Sequence, residues 1–471
     1  MSVPFDNATT LLTTLGDGIR QIYHDTFNEA VSRFGRKTNR VIKVSKRKID
    51  GDGINIQSMD RRLYGARTNT NINADFNTAR SFSADTYKVT LSETPSANHF
   101  RRVDLSLQVT WLDLQRVYTK KTSAFDMIER LMKESMQNIG EHVALRRHLD
   151  STAKLASING TPAKNDNKTF ASCSAIGATG GARFPVDSGS FAALQPGMIV
   201  ETYTGATKDF TAQVTNPNAA DKSVGLYGVD VNADPLNGSS TVSLNGLADN
   251  DDLYLSGEKD ANILSIGHWF STPATGDSFF GKDRTDPLND WLRPHISGPS
   301  SETLFSKTHI DNFANEIQYI QEEPDGGYAA ILQPEMEQRY RDEIGNDILI
   351  DFPTDDSTKK LFANYGFDGG SVYRHPSLGR IVLLSDVFAP PGKIRFLRIG
   401  DWEQLVAPGE GGELGWNWLT GDEGGWYRME STTPGNGRTT TYRMDGMMLM
   451  CDICLRPRLQ AQIQNLKHGR E

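Results

Sequence analysis

The longest regular pattern in the chain is helical. Phe125, Ile128, Met132, Met136, Ile139 and Val143 recur at intervals of three and four residues, which is one face of an α-helix. Ser123 is a good capping residue and Asp126 places an acid in the first turn. The spacing predicts a helix from Ser123 to about Ser157, a rod of roughly 50 Å. Glu129, Lys133, Glu134, Glu141, Arg146 and Arg147 read as its polar surface, and Gly140 as its one weak point. In a chain otherwise made of short strands and turns, such a helix reads as a spine on which other layers lie. A bundle or coiled coil is the competing reading. It lacks both a sustained Leu/Ile heptad and a second helix of this length.

The rest of the pattern falls into blocks. Residues 1–35 have a helical period from Leu11 to Phe34 and end at Gly35, where a helix-terminating glycine belongs. Residues 36–95 have no core-forming pattern. Val41–Val44 and Tyr87–Leu91 flank a Thr/Asn-rich tract, which predicts a two-stranded excursion that must lie on something else. Val103, Leu105, Leu107, Val109 and Trp111 alternate cleanly and predict a strand. Residues 160–265 predict an inserted all-β module, with strands at 198–203, 210–214, 224–227, 241–244 and 253–255. A helix is expected over 301–321, a buried strand at 328–332 and a short helix from Pro334. Strands are expected at 371–373, 381–384 and 393–397, with Pro390-Pro391-Gly392 as a turn. The end of the chain predicts strands at 402–406, 427–430, 439–444 and 447–455 around a Gly-rich loop.

Charge changes the picture at one place. The net charge is −9, yet Arg36 to Arg67 holds ten Lys/Arg against three Asp, so the remainder is strongly acidic. Such asymmetry points to a contact between a basic segment and an acidic one. Lys46, Arg47, Lys48, Arg61, Arg62 and Arg67 are the candidate contact residues. Tyr64 is the only aromatic nearby, so nucleic acid is a weaker partner for them than an acidic neighbouring copy, and a solvated face is the plain alternative.

Catalytic chemistry is not written in the sequence. No phosphate-binding loop, nucleophile elbow, zinc-protease helix or calcium loop occurs. Cys451 and Cys454 form a C-x-x-C without a second pair, and the apolar run around them reads as a buried strand. His142 and His148 are six apart and do not share a helix face. Asp249-Asn250-Asp251-Asp252 resembles a cation cluster but reads as a solvated turn, and adjacent Glu322 and Glu323 do not make a glycosidase pair. The expectation is a protein that is not an enzyme and takes no metal or cofactor. Hydrophobic residues make up 37%, mean hydropathy is −0.48, and no apolar run reaches the ~18 residues of a membrane span. The N-terminus has no basic segment followed by an apolar one, so synthesis in the cytoplasm without export is expected.

The order of these parts resembles the major capsid protein of tailed bacteriophages: an arm, an extended loop, a strand entering a spine helix, a compact mixed domain, and long return strands. Pro196 to Gly257 is similar to the β-rich insertions of some members. Gly370-Ser371-Val372-Tyr373 with Ser385 to Gly392 looks like an axial-domain strand ending in a proline-glycine turn. The resemblance implies an α+β fold of the phage major-capsid type, with a long spine helix, an extended loop, a mixed α/β axial domain and an inserted all-β domain. Its divisions would be an N-terminal arm at 1–35, the extended loop at 36–95, and a peripheral domain with the spine at 96–160. The insertion would follow at 161–265, the axial domain with its lead-in at 266–400, and return strands at 401–471. It further implies hexamers and pentamers in an icosahedral shell around double-stranded DNA, with scaffolding, portal and decoration proteins as partners and no membrane. The subunit would reside in the virion and, during assembly, in the host cytoplasm. Two alternatives stand beside it: a secreted or surface sugar-binding or sugar-processing protein using 160–265, and a bacterial nanocompartment shell of the same fold.

Overall fold

The structure is a computed structural model. It describes residues 37–45, 47, 49, 52–57, 86–92, 98–110, 121–158, 181–186, 193–218, 223–228, 250–273, 278–320, 327–344, 371–375, 379–407, 417–418, 427–430 and 440–467. The expected N-terminal helix at 1–35, the tip of the extended loop, the strand at 241–244 and Cys173 lie outside the described residues.

The chain enters through a short helix α1 (Lys37–Val41), then β1 (Lys43–Val44), β2 (Gly53–Gln57), β3 (Thr86–Thr90) and β4 (Arg101–Thr110). The spine follows as α2 (Lys121–His148), 28 residues and about 42 Å long. After it come β5 (Ala156–Ser157), β6 (Gly181–Pro185), β7 (Ile199–Thr204), β8 (Thr207–Asn218), β9 (Ser223–Gly228) and β10 (Asp252–Leu255). A lead-in holds α3 (Ile266–Trp269), β11 (Ser278–Phe279), β12 (Lys282–Asp283), a 3-10 turn at Pro287–Leu292, β13 (His295–Ser297) and β14 (Thr303–Leu304). Next are α4 (Lys307–Ile320), β15 (Tyr328–Leu332), α5 (Pro334–Ile344), β16 (Ser371–His375), β17 (Gly379–Ser385) and β18 (Ile394–Arg398). The chain closes with β19 (Trp402–Val406), β20 (Asn417–Trp418), β21 (Tyr427–Glu430), β22 (Thr440–Cys454), a 3-10 turn at Pro457–Leu459, β23 (Ala461–Ile463) and β24 (Leu466–Lys467).

Three six-stranded sheets carry the fold, which is α+β. The first is built on β22, which pairs β4 along one side and β19, β20 and β21 along the other. The second, in order β5-β10-β7-β8-β9-β6, is antiparallel. The third, β13-β23-β18-β15-β17-β16, is mixed. All five residues of β15 are buried because both faces of this sheet are covered. Tyr328, Ala330 and Leu332 pack with Phe313 and Ile317 of α4, while Ala329 and Ile331 join a core shared with Trp269, Trp402 and Ile453. The C-terminal β23 thus completes a sheet begun some 170 residues earlier.

Local chemistry explains where expectation and structure part. The spine ends at His148 rather than near Ser157 because Asp150 folds back, its Oδ1 accepting from the Thr152 amide at 3.0 Å and hydroxyl at 2.7 Å. That side-chain turn competes with the helix. Ala153 then takes φ +65°. Residues 301–306 are not helical: Thr303 and Leu304 pair with Leu466 and Lys467. The strands expected at 439–444 and 447–455 are one continuous β22 of 15 residues, with Gly446 passing straight through opposite Leu105. Val41–Val44 does not open the loop hairpin. It ends α1 and forms β1 alongside β19, and β2 is the strand that pairs β3.

Two glycines are demanded by close approach. A Cβ on Gly392, which has φ +61°, would stand 2.9 Å from the Leu466 carbonyl oxygen. A Cβ on Gly267 would stand 1.8 Å from the Leu149 carbonyl oxygen, so α3 seats directly on the backbone that leaves the spine. Gly267→Ala should lower the stability of the chain by about 3 kcal/mol, the upper end for overpacking, because the obstacle is backbone. The urea midpoint measures it, and a shift equivalent to a surface substitution would show that the spine exit can move.

Candidate assembly elements and the buried hub behind them

The spine stripe continues past Val143. Four residues on, at the same helical face, stands Arg147, wholly buried. Its Nε donates to Asp452 Oδ2 at 2.7 Å and its Nη2 to Asp452 Oδ1 at 3.0 Å, a two-pronged ion pair. Nη2 also donates to Gln404 Oε1 at 2.8 Å, and Nη1 to Asn39 Oδ1 at 2.7 Å. Asp452 accepts in addition from Ser265 Oγ at 2.9 Å, and Asn39 returns a bond to the Gly140 carbonyl at 2.9 Å. One guanidinium therefore ties α1, α2, β19 and β22 together, and its partner Asp452 brings in the residue that precedes α3.

A second chain of bonds leaves the next residue toward the mixed sheet. Thr38 Oγ1 donates to Asp386 Oδ2 at 2.5 Å. His148 Nε2 lies 3.1 Å from Thr38 Oγ1, and Arg395 Nη1 lies 3.4 Å from His148 Nδ1. With the threonine proton committed to Asp386, the pattern fits a neutral imidazole that donates from Nε2 and accepts at Nδ1. Burial lowers the His148 pKa, and Arg395 and Arg147 add to the push against the opposing pull of Asp386. Burial would raise Asp386, yet hydrogen bonds from His148, Thr38 and the Phe388 amide hold it below the usual carboxylate range. Burial takes Arg395 down to about 9, so it stays charged at neutral pH. Arg146 and Arg147 together also oppose the negative end of the helix dipole.

The outlying parts are fastened near this hub. Arg146 and His142 both meet Glu258 just beyond β10. The core of the second sheet includes Ala144 and Leu145 of the spine. The base of the loop hairpin does have a core, contrary to expectation. Ile56, Tyr87 and Val89 are buried in the main cluster, and the Tyr87 ring lies 4.7 Å from Phe280 and 5.9 Å from Trp269. The Tyr87 hydroxyl donates to the Cys454 carbonyl at 2.9 Å.

Of the sequence-derived contact residues, Lys46, Lys48, Arg61, Arg62 and Arg67 lie outside the described residues. Arg47 is exposed, and its Nε pairs with Glu403 Oε2 of its own chain at 2.9 Å. Arg146 and Arg147 are not surface residues, which corrects the reading of the helix. Asp251 is not a solvated turn residue either: it is 1% exposed and accepts from Thr204 Oγ1 at 2.7 Å. Cys451 and Cys454 are free thiols buried in β22. Among the described residues no group of three or more His, Cys, Asp or Glu could hold a metal ion, and no helix is long and apolar enough to cross a membrane. The hub itself had two signals in the sequence: a charged residue on the apolar stripe of a helix, and a lone acid within Met447 to Leu455.

No protein-family model matches the chain, and no curated protein matches it. Among solved structures it is similar to the cyanophage A-1(L) capsid asymmetric unit, at 8% identity over 91% of this chain and 90% of that one, with a TM-score of 0.42. It is similar to the satellite phage P4 procapsid including size determination (Sid) protein, at 7% identity over 95% and 90%, with a TM-score of 0.37. It is also similar to the capsid of the native GTA particle, at 7% identity over 92% and 90%, again with a TM-score of 0.37.

Two measurements test the hub. Arg147→Met leaves Asp452 buried without its cation and should cost about 3–5 kcal/mol in chemical unfolding of the chain. A loss below ~1 kcal/mol would mean the ion pair is dispensable. The second is a pH profile. Burial, with help from Arg101 and Arg146, lowers His99 and His142, the latter to about 4, and His148 is lowered as well. The unfolded chain then takes up protons first on acidification. The contribution of these histidines is complete above about pH 6.5 and is lost as pH falls toward 4. The urea midpoint should decline across that interval, and His142→Asn should flatten its lower part.

Proposed function

We propose that this chain is the major capsid protein of a tailed bacteriophage, a subunit that assembles into an icosahedral shell around double-stranded DNA. The observation that carries the reading is one buried hub on which three separate parts are rooted. One is the β2–β3 hairpin, whose basic continuation runs through Arg61, Arg62 and Arg67. Another is the β4–β22 ribbon, with β22 spanning roughly 50 Å. The third is the insertion sheet standing on Ala144 and Leu145. Beyond these roots, conformational entropy must be offset by burial. Copies laid across one another would supply that burial.

The ribbon is suited to this. On its outer face Arg443 donates to Asp445 at 2.7 Å and to Ser106 at 2.9 Å, beside half-buried Met447 and Leu449. Among the described residues no strand pairs the second edge of β4. Contacts between unlike surfaces of successive copies close into rings of five or six and then into a shell. Lys46, Arg47, Lys48, Arg61, Arg62 and Arg67 would face an acidic neighbour, with Arg47 steered by Glu403 of its own chain. Scaffolding, portal and decoration proteins, and non-specific contact with packaged DNA, belong to the same reading. No cofactor enters it, and the subunit would reside in the virion.

Electron microscopy and sedimentation of the protein, expressed alone and with its scaffold, test the proposal. Closed shells, hexamers or pentamers are expected. Replacing Arg61, Arg62 and Arg67 with Gln should reduce assembly in low salt and weaken its dependence on salt, because exposed charge contacts are screened within about 8 Å at physiological ionic strength. A monomer under every condition would sink the reading.

A further inference from the structure

The neck of the loop hairpin, where the chain leaves β3 and turns back into β4, is closed by a short ladder of bonds. The His99 amide donates to the Thr90 carbonyl at 3.0 Å. In return the Thr90 amide donates to His99 Nδ1 at 2.9 Å. Asn98 Oδ1 accepts from the Ser92 amide at 3.4 Å and from the Phe100 amide at 3.1 Å. One rung of the ladder thus ends on an imidazole nitrogen instead of a carbonyl oxygen. A backbone amide only donates, so Nδ1 carries no proton and the neutral ring holds its proton on Nε2.

Among the described residues no acid is placed to balance a charge on this ring. On β4, Arg101 brings a like charge, with its Nη1 donating to the Asn98 carbonyl at 2.6 Å. Arg102 and Asp104, further along β4, pair with each other at 2.9 Å. On the hairpin, Lys88 and Asp52 pair with each other at 2.7 Å. From the β11–β12 turn the Phe280 ring packs on the imidazole at 4.9 Å. The charged residues next to that turn are Lys282 and Asp283, and Asp283 accepts from the Thr285 amide at 2.7 Å and hydroxyl at 2.6 Å. Burial, and then Arg101, lowers the His99 pKa. The ring is only half-buried, so protons from solvent reach it.

We infer that His99 is an acid-sensitive clasp on the neck of the hairpin: a proton taken from solvent by Nδ1 turns the acceptor into a donor, breaks the bond from the Thr90 amide and loosens the joint between the hairpin and β4. Two donors then face each other, and the Thr90 amide turns to water. Ile56, Tyr87 and Val89 hold the hairpin in the main core through contacts that do not titrate in this range, so the joint loosens while the hairpin stays folded. The clasp belongs to the single chain and does not depend on assembly into a shell.

The test is hydrogen exchange of the full chain at neutral and at mildly acid pH, corrected for the intrinsic pH dependence of exchange. Protection of the Thr90 amide, taken relative to β15 in the same sample, should fall below about pH 6.5 and approach a tenfold loss for each further pH unit. His99→Asn puts a side-chain oxygen close to the place of Nδ1 and does not titrate, so its relative protection should hold across the range. His99→Phe keeps a ring against Phe280 but offers no acceptor, so Thr90 should be as poorly protected at neutral pH as the parent is in acid. General loosening by acid would lower Thr90 and β15 together and would persist in His99→Asn. Parent protection that keeps step with β15, an equal acid loss in His99→Asn, or full neutral-pH protection in His99→Phe overturns the inference.

Discussion

The Arg147–Asp452 pair is the constraint on which the other contacts depend. Removing two charges from water costs several kcal/mol for each ion, and their attraction offsets this only in good geometry with the remaining donors satisfied. Both side chains are wholly buried. The arginine uses its two-pronged bond to Asp452 and then reaches Asn39 and Gln404. A guanidinium is planar with its donors in a fixed fork, so these acceptors have one workable arrangement. The relative positions of α1, α2, β19 and β22 are set by it. An apolar junction of equal area would hold the same elements together while tolerating many small rotations.

The position of Arg147 in the chain gives the junction its reach. Arg146 turns to the insertion through Glu258, Arg147 to the ribbon sheet through Asp452, and His148 to the mixed sheet through Thr38, Asp386 and Arg395. Three consecutive residues on a helix point roughly 100° apart, and here each direction meets a different sheet. The helix must therefore end where it does. Another turn would carry backbone into the space where Gly267 seats α3 against Leu149.

Local periodicity carried much of this into the sequence. The stripe from Met132 to Val143, the alternation of Val103 and Leu107, and the apolar run at 328–332 all lie where the pattern predicts. Pairings between distant segments were not legible, because register between strands hundreds of residues apart leaves no periodic trace. The parallel match of Lys43 with Glu403 and of His295 with Ala461 are of this kind. Arg146 and Arg147 were misread for a related reason. A charge on a helix is normally solvated, and only the acid hidden within Met447 to Leu455 marked one of them as paired. Among the contact residues, Arg47 was legible as charged and exposed, but not its pairing with Glu403.

The proposed role, loops and strands laid over neighbouring copies, carries a mechanical requirement. In the shell reading each part would meet a neighbouring copy beyond its root, so the precision of every contact would be limited by how firmly the root is held. Here the roots differ in chemistry. The loop hairpin is held by aromatic packing around Tyr87 and by its hydroxyl on the Cys454 carbonyl. The insertion is held by an ion pair and a small apolar contact at the spine. The ribbon is continuous with Asp452, so its root is the hub itself. In the shell reading the ribbon, rooted in the hub, would be the part best placed to fix the geometry of a ring of subunits.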